Sequence, residues 1–532
     1  MSTAPVLLVV LLWTLSTLAS GISACSHGLD APLLPETLSG VPQSVVSLIT
    51  RFWEIFGPGG RFHPESFIES KGHLVVEGLL VLVILYLFLQ KSFNPSFQKQ
   101  LQTELTEQEI EDLCNEWQPE PLFKAATENQ PDYEPPVISG APKTYVTANG
   151  KEVLNMVSAN FLGFAGDDDI QRACEATINK YGVGSCGPRG FYGTIDVHLD
   201  LEKRIASFMQ TEESIIYAYD LATVPSILPA FANAKDLIIC DEAACYAIQN
   251  GATLSRAQVR FFKHNDMADL ERLLQEQADK DRRSKLRLNR RFIVVEGISH
   301  NLGDIAPLDQ IFKLKEKFKY RLVLDESLSF GVLGDTGRGA AEMFGLRPGQ
   351  VEIVAASMGN SLASIGGFCA GDRDIVDHQR LSGLGYCYSA SLPPYLATAA
   401  ICALESMQKQ PDLVQRVTKN ARTMRKLLQT IDGLQVHGAP SDDASPVIHV
   451  QLQHGPDAIW EGKALLQRVV ADACEHEGVL FTVHRLSDLD KAYVKTPASI
   501  CVAVTAQHSQ KDLENAADAL RNACKRCLHL YR

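Results

Sequence analysis

Between Ser214 and Ala370 the sequence alternates short apolar runs with longer amphipathic stretches, and no other pattern in the chain limits the possible folds as strongly. The runs Ser214 to Ala218, Asp236 to Cys240, Val259 to Phe262, Arg291 to Val295, Tyr320 to Leu324, Val351 to Ala355 and Gly367 to Ala370 have strand length. The stretches between them, such as the one carrying Met267, Leu270, Leu273 and Leu274, space their apolar residues three and four apart, as a helix covering a sheet does. This alternation predicts a doubly wound α/β domain. Pro393 and Pro394 precede an apolar helix pattern, Tyr395 to Met407. A smaller α/β unit follows, with strand patterns at Val447 to Leu452 and Ile500 to Thr505 and a last helix from Gln510. A chain of 532 residues exceeds one ordinary core. The expected organisation is a large domain over 143–394 and a small C-terminal domain over 395–532, behind a connector over 92–142 whose end, Gln118 to Pro142, is polar and contains prolines.

Composition narrows the partners. A content of 45% apolar and 21% charged residues is that of a folded globular protein, and a formal net charge of -13 argues against nucleic acid, whose phosphates need a basic face. Only Lys280 to Arg291 is locally basic. It reads as a solvated loop between a helix and the strand that follows, with contact to anionic lipid or CoA phosphate as the other reading. The 13 cysteines follow no regular spacing, and most sit in apolar runs such as Ile238-Ile239-Cys240, where sulfur packs as a small hydrophobe. That usage implies a reducing compartment. Cys524 and Cys527 form a lone CxxC without a second pair, so no metal site is expected.

The chemistry-bearing segment begins at Asp325, which closes the strand pattern Tyr320 to Leu324. Gly331-Val332-Leu333-Gly334-Asp335-Thr336-Gly337-Arg338-Gly339 follows, and then Ser357-Met358-Gly359-Asn360-Ser361-Leu362-Ala363-Ser364-Ile365-Gly366-Gly367-Phe368. Upstream lies a glycine-dense stretch, Lys180-Tyr181-Gly182-Val183-Gly184-Ser185-Cys186-Gly187-Pro188-Arg189-Gly190-Phe191-Tyr192-Gly193-Thr194; downstream lies Tyr386-Cys387-Tyr388-Ser389-Ala390-Ser391-Leu392. From about residue 70 to the C-terminus the chain resembles the α-oxoamine synthases, fold-type I pyridoxal-phosphate enzymes that join an amino acid to an acyl-CoA with loss of carbon dioxide. Within that family it is most similar to the serine palmitoyltransferase branch, in which a subunit lacking the cofactor's lysine pairs with one that carries it.

The resemblance places Asn360 where the Schiff-base lysine of an active member stands. An amide is not basic and can neither form the imine nor move a proton. Three other positions depart in the same direction. Cys245 replaces a histidine that stacks on the pyridine ring, Leu328 a histidine that hydrogen-bonds the cofactor's phenolic oxygen, and Cys501 an arginine that clamps the substrate carboxylate. Asp325 is kept at the pyridinium position, where it either contacts a cofactor or caps its own strand end. Asp220 replaces a glycine beside the cofactor, and a carboxylate there would repel a phosphate. The resemblance further implies that Ser389 and Ser391 face the partner's cofactor. It places Gly184, Cys186, Gly187, Arg189 and Tyr192 where two subunits meet and shape the substrate site. Pyridoxal phosphate is therefore expected in the complex, bound covalently by a lysine-bearing long-chain-base subunit 2. The expected substrates are L-serine and palmitoyl-CoA, and small activating or regulatory membrane subunits are possible further partners. The rival readings are an independently active homodimer and a membrane scaffold that recruits regulators or senses sphingolipid.

Two apolar segments bear on location. Leu74 to Leu89 carries one charge, Glu77, and is flanked by Lys71 and Lys91. As a helix it would reach about 24 Å, against a hydrocarbon layer of roughly 27 Å in the endoplasmic reticulum. A transmembrane helix over 73–91 is the expectation, with a buried core helix as the other reading. Val6 to Ala19, within residues 1–24, reads equally as a cleaved signal or a retained anchor. The intervening 25–72 would be lumenal or interfacial. The resulting expectation is a single-pass protein of the endoplasmic reticulum with its large domain in the cytosol.

Overall fold

The computed structural model describes residues 80–82, 84–85, 106–117, 119, 122, 135–283, 289–438, 444–454, 459–486 and 497–528. The chain divides into two compact units, Met1–Ala125 and Ala126–Arg532. In the first, helix Glu107–Glu116 starts at a capping box. The Thr106 hydroxyl accepts from the Glu109 amide at 3.3 Å and the Glu109 carboxylate accepts from the Thr106 amide at 2.8 Å, so two end donors are satisfied. Leu80, Val81, Leu82, Ile84 and Leu85 are helical and exposed. The rest of the expected membrane segment 73–91, and all of Val6 to Ala19, lie outside the described residues. Among the described residues no helix is long and apolar enough to cross a membrane.

The second unit opens with three short strands, β1 (Ile138–Ser139), β2 (Tyr145–Ala148) and β3 (Lys151–Asn155). Its central sheet follows: β4 (Glu213–Tyr217), β5 (Leu237–Asp241), β6 (Gln258–Phe262), β7 (Arg291–Glu296), β8 (Arg321–Asp325), β9 (Ile353–Ser357) and β10 (Gly367–Gly371). These lie in the order β4-β10-β9-β8-β7-β5-β6, and only β10 runs against its neighbours. Successive side chains of a strand point to opposite faces, and here each face has its own core. Ile216, Leu237, Ile239, Ile293, Val295, Leu322 and Leu324 enter one cluster; Ile215, Tyr217, Ile238, Cys240, Phe292, Val294 and Val323 enter the other. A sheet covered on both faces explains why these strands read as continuous apolar runs.

Every expected strand of this sheet is present, displaced by one or two residues at most. The basic segment differs from expectation. Helix Met267–Arg283 runs through Lys280 to Arg283, and Arg282 bonds Asp279 one turn back while Asp281 pairs with Arg291. These i,i+3 and cross-element pairs extend the helix into what reads as loop; residues 284–288 lie outside the described residues.

The smaller sheet has the order β11-β12-β15-β14, from β11 (Leu434–Val436), β12 (Val447–Leu452), β14 (Thr482–Val483) and β15 (Ser499–Ala503). Helices Asp412–Leu428, Ile459–Glu477 and Gln510–Leu528 accompany it, with Met424, Leu466, Val469, Leu513 and Leu520 in the shared core. Cys524 packs in that core too. The chain's early strands return here: β3 pairs in parallel with β13 (Val479–Leu480), and Leu154 and Met156 enter the same core. Helix Pro394–Lys409 instead buries Ala397, Ala400, Ala403 and Leu404 in the core of the central sheet.

One charged side chain ties the strand ends together. His264, after β6, bonds Asp241 at the end of β5 through Nδ1 at 2.8 Å and Asp304 in the loop after β7 through Nε2 at 2.9 Å. Burial opposes a charged imidazole, but hydrogen bonds and attraction from the two carboxylates outweigh it and lift the pKa to about 10. Asp304 is held below the usual carboxylate range by the same contact, against its own burial. Replacing His264 with Gln should cost about 3 kcal/mol, because the two carboxylates lose their cation. A raised imidazole pKa stabilises fully below the unfolded value of 6.5 and is lost as pH rises through about 10. Denaturant melts should therefore show the wild-type advantage over His264→Gln shrinking steadily across that interval; an advantage independent of pH would show that the imidazolium is not its source.

Candidate functional site

The carboxyl ends of β5, β7, β8 and β9 open onto one place, as expected for a parallel α/β sheet. Two acids meet there, since Glu296 and Asp325 are register partners at the ends of β7 and β8. Asp325 is buried, and its Oδ1 accepts from the Ser327 amide at 2.9 Å. Glu296 accepts from the Cys245 amide at 3.0 Å and the His300 amide at 3.2 Å. Burial pushes both pKa values up, and for Glu296 the neighbouring Asp325 adds to the shift. Among the described residues neither acid forms an ion pair.

The remaining positions are absorbed into the protein's own structure. Asn360 donates from Nδ2 to the Ser327 carbonyl at 2.8 Å, so it fastens the turn after Asp325. Cys245 is the N-cap of helix Tyr246–Ser255, with its thiol pKa pushed up by burial. Leu328 is buried in the core of the central sheet. Cys501 sits on β15 opposite His449 and packs partly against that core; burial lifts its thiol to about 12. Asp220 begins helix Asp220–Phe231 and accepts from the Ser357 hydroxyl at 3.1 Å. These residues do not fit pyridoxal phosphate. Of the positions that the resemblance assigns to the cofactor, Asn360 offers no amine for the link, Cys245 and Cys501 offer no ring or fork, and the carboxylate of Asp220 stands at a helix start.

The glycine-dense loop forms a second region. Arg189 is buried and makes a bidentate pair with Glu202 on helix Asp196–Met209, both bonds at 2.9 Å. Its Nε donates to the Thr194 hydroxyl at 3.0 Å and its guanidinium lies 5.3 Å from the Tyr386 ring. Ser391, also buried, is fastened to the loop at Ser185 and at the Gly187 and Gly193 carbonyls. Gly193 permits the crossing: a Cβ there would sit 1.9 Å from the Gly187 carbonyl oxygen. Held on both sides, the loop keeps two non-glycine residues left-handed, Cys186 at φ 60° and Tyr192 at φ 64°. Gly184, Cys186, Phe191, Tyr192 and Ser389 are exposed. Thus Arg189 and Ser391 serve the loop from inside, and Tyr192 and Ser389 remain available to a partner.

The aminotransferase class I and II family matches residues 151–520. Long chain base biosynthesis protein 1 of Arabidopsis thaliana is 44% identical over 87% of this chain and 93% of its own length. Serine palmitoyltransferase 1 of Dictyostelium discoideum is 38% identical over 86% of this chain and 96% of its own length. The chain belongs to the serine palmitoyltransferase 1 family. Its fold is that of the fold-type I enzymes. A solved serine palmitoyltransferase of Sphingomonas wittichii superposes with a TM-score of 0.66 at 23% identity, covering 74% of this chain and 93% of that one.

The Arg189 position was legible from the motif, but its partner was not. Glu202 lies on a helix face with no mark to distinguish it from a solvent-exposed acid. Nor was Glu296, for which the available signal was its place at a strand end, like that of Asp325. In this serine palmitoyltransferase 1 family member, Arg189→Met should destabilise the fold by about 3 to 5 kcal/mol by stranding the Glu202 carboxylate. Adding Glu202→Gln should restore part of that loss in denaturant titrations. Additive losses would mean that the two groups act separately.

Proposed function

We propose that this chain is the non-catalytic subunit of a serine palmitoyltransferase, which condenses L-serine with palmitoyl-CoA to 3-ketosphinganine at the start of sphingolipid synthesis. The observation that carries the proposal is the pairing of a site without an amine with an exposed apolar rim beside it. Val183, Phe191, Tyr192, Tyr219, Leu221, Leu381, Leu384 and Tyr388 are all exposed, on the glycine-dense loop and on the segments near Ser391 and the helix Asp220–Phe231. Exposed aromatic and aliphatic side chains on segments that meet through Ser391 and the Gly187 and Gly193 carbonyls favour a protein partner. That partner is long-chain-base subunit 2, which carries the lysine and holds pyridoxal phosphate covalently. In this reading the cofactor supplies the electron sink there, and the present chain contributes surface: the loop Gly182–Thr194 and Ser389 border the partner's site, position substrate and exclude water. A transmembrane helix over 73–91 would anchor the pair in the endoplasmic reticulum with the catalytic domains in the cytosol, where acyl-CoA is available. The same helix would offer a docking place for small regulatory subunits.

Two experiments test the reading. The purified chain carrying Asn360→Lys should show no condensation as a homodimer, because Cys245, Leu328 and Cys501 remain and groups that act as a unit are strongly non-additive. Measurable turnover from that one change would show that Cys245, Leu328 and Cys501 matter less than this reading requires, whereas turnover by the unmodified chain would support the independently active alternative. Leu381→Glu combined with Tyr192→Glu should weaken recovery of the heterodimer by about 30-fold or more, the effect of losing roughly 2 kcal/mol at an interface anchor. Undiminished co-purification with the lysine-bearing subunit would place the interface elsewhere.

A further inference from the structure

Helix Asp220–Phe231 follows β4 and, like any helix, presents unsatisfied amides and the positive end of its dipole at its start. Such a terminus is a ready anion seat. Here the first residue of the helix, Asp220, is itself an anion. Asp220 Oδ2 accepts from the Ser357 hydroxyl at 3.1 Å, and the Ser357 oxygen in turn accepts from the Gly359 amide at 2.9 Å. The backbone at Gly366 contributes as well, drawing the carboxyl pKa down against the burial that raises it. A Cβ on Gly359 would come within 2.8 Å of Oδ2, so the loop that carries Asn360 is closed down on the acid. Oδ1 is buried and, among the described residues, has no hydrogen-bond partner.

We propose that Asp220 is a built-in occupant of the phosphate seat of this subunit, so that the chain refuses phosphate esters independently of the missing lysine. The inference rests on the reading that the cofactor belongs to the partner. Three segments converge on one carboxylate: the helix start, the end of β9 and the loop 359–366. A phosphate entering from solvent would have to displace the carboxylate from Ser357 and then lie beside its charge. Losing the lysine removes the covalent link alone; filling the seat removes the non-covalent hold as well. Burial drives the Asp220 pKa up, while Ser357 and Gly366 draw it down, as expected for a carboxyl group kept in place at some electrostatic cost.

The test uses the heterodimer after borohydride reduction, which fixes the partner's cofactor. Inorganic phosphate and pyridoxal phosphate are then titrated in turn by calorimetry, and thermal melts establish that each variant is folded. Wild type should take up no further equivalent. Asp220→Gly should bind both probes at least about tenfold more tightly than wild type, because a charge a few ångströms away is removed and space is opened. Asp220→Asn keeps the volume and loses the charge, so its gain should be smaller; it also serves if the glycine variant does not fold. A second equivalent bound by wild type would overturn the inference, as would two folded variants with no gain. Failure to recover any heterodimer would count against the proposed function instead, and the same titration on the chain alone would then decide the role of Asp220.

Discussion

Burial of the central sheet on both faces is the constraint from which the other features follow. With side chains of alternate strand residues committed to two separate cores, no polar group can sit within β5, β7, β8 or β9 without leaving a hydrogen bond unmade. The acids Asp241, Glu296 and Asp325 therefore stand at the strand ends, each taking a backbone amide from the turn that follows its own strand. Their concentration at one edge of the sheet makes a site out of an arrangement that packing alone would require. It also creates a surplus of negative charge there. His264 neutralises part of it by bridging Asp241 and Asp304.

Within that frame, the positions that the resemblance assigns to cofactor chemistry make structural contacts of their own. Asn360 fastens the turn at Ser327, Cys245 packs against the second core, Leu328 fills the first, and Asp220 holds the Ser357 hydroxyl at a helix start. Each is a coherent local solution in which the group satisfies a backbone or packing demand. Reversal at one position would therefore disturb an existing contact as well as supply a functional group. Asp325 illustrates this. Its carboxylate is retained, yet its visible partner is the amide two residues on.

The glycine-dense loop follows the opposite logic. Its interior is costly, with a buried ion pair and two non-glycine residues in left-handed conformations. Strain of that kind persists only where surrounding contacts over-determine the backbone. Arg189 with Glu202 on one side and Ser391 on the other provide them. What the arrangement yields is a rigid, exposed edge carrying Phe191 and Tyr192, suited to a surface that must meet a partner without being ordered at the moment of contact.

By itself the sequence determined the alternation of strands and helices, the strand-end place of Asp325, and the absence of an amine at Asn360. These are local properties, fixed by periodicity and residue type. The short strands β1 to β3 were not legible, because two to five residues carry too little pattern, and the pairing of β3 with β13 spans some three hundred residues of chain. Nor did a sequence pattern reveal that Arg189 and Ser391 face inward. Both lie in a stretch that reads as surface, and only the approach of helix Asp196–Met209 and of the Gly193 carbonyl gives them buried partners. The tertiary structure alone decided which acids are paired, His264 between two of them and Glu296 with no cation among the described residues, because the strength of a charge depends on what lies within a few ångströms of it and not on its neighbours along the chain.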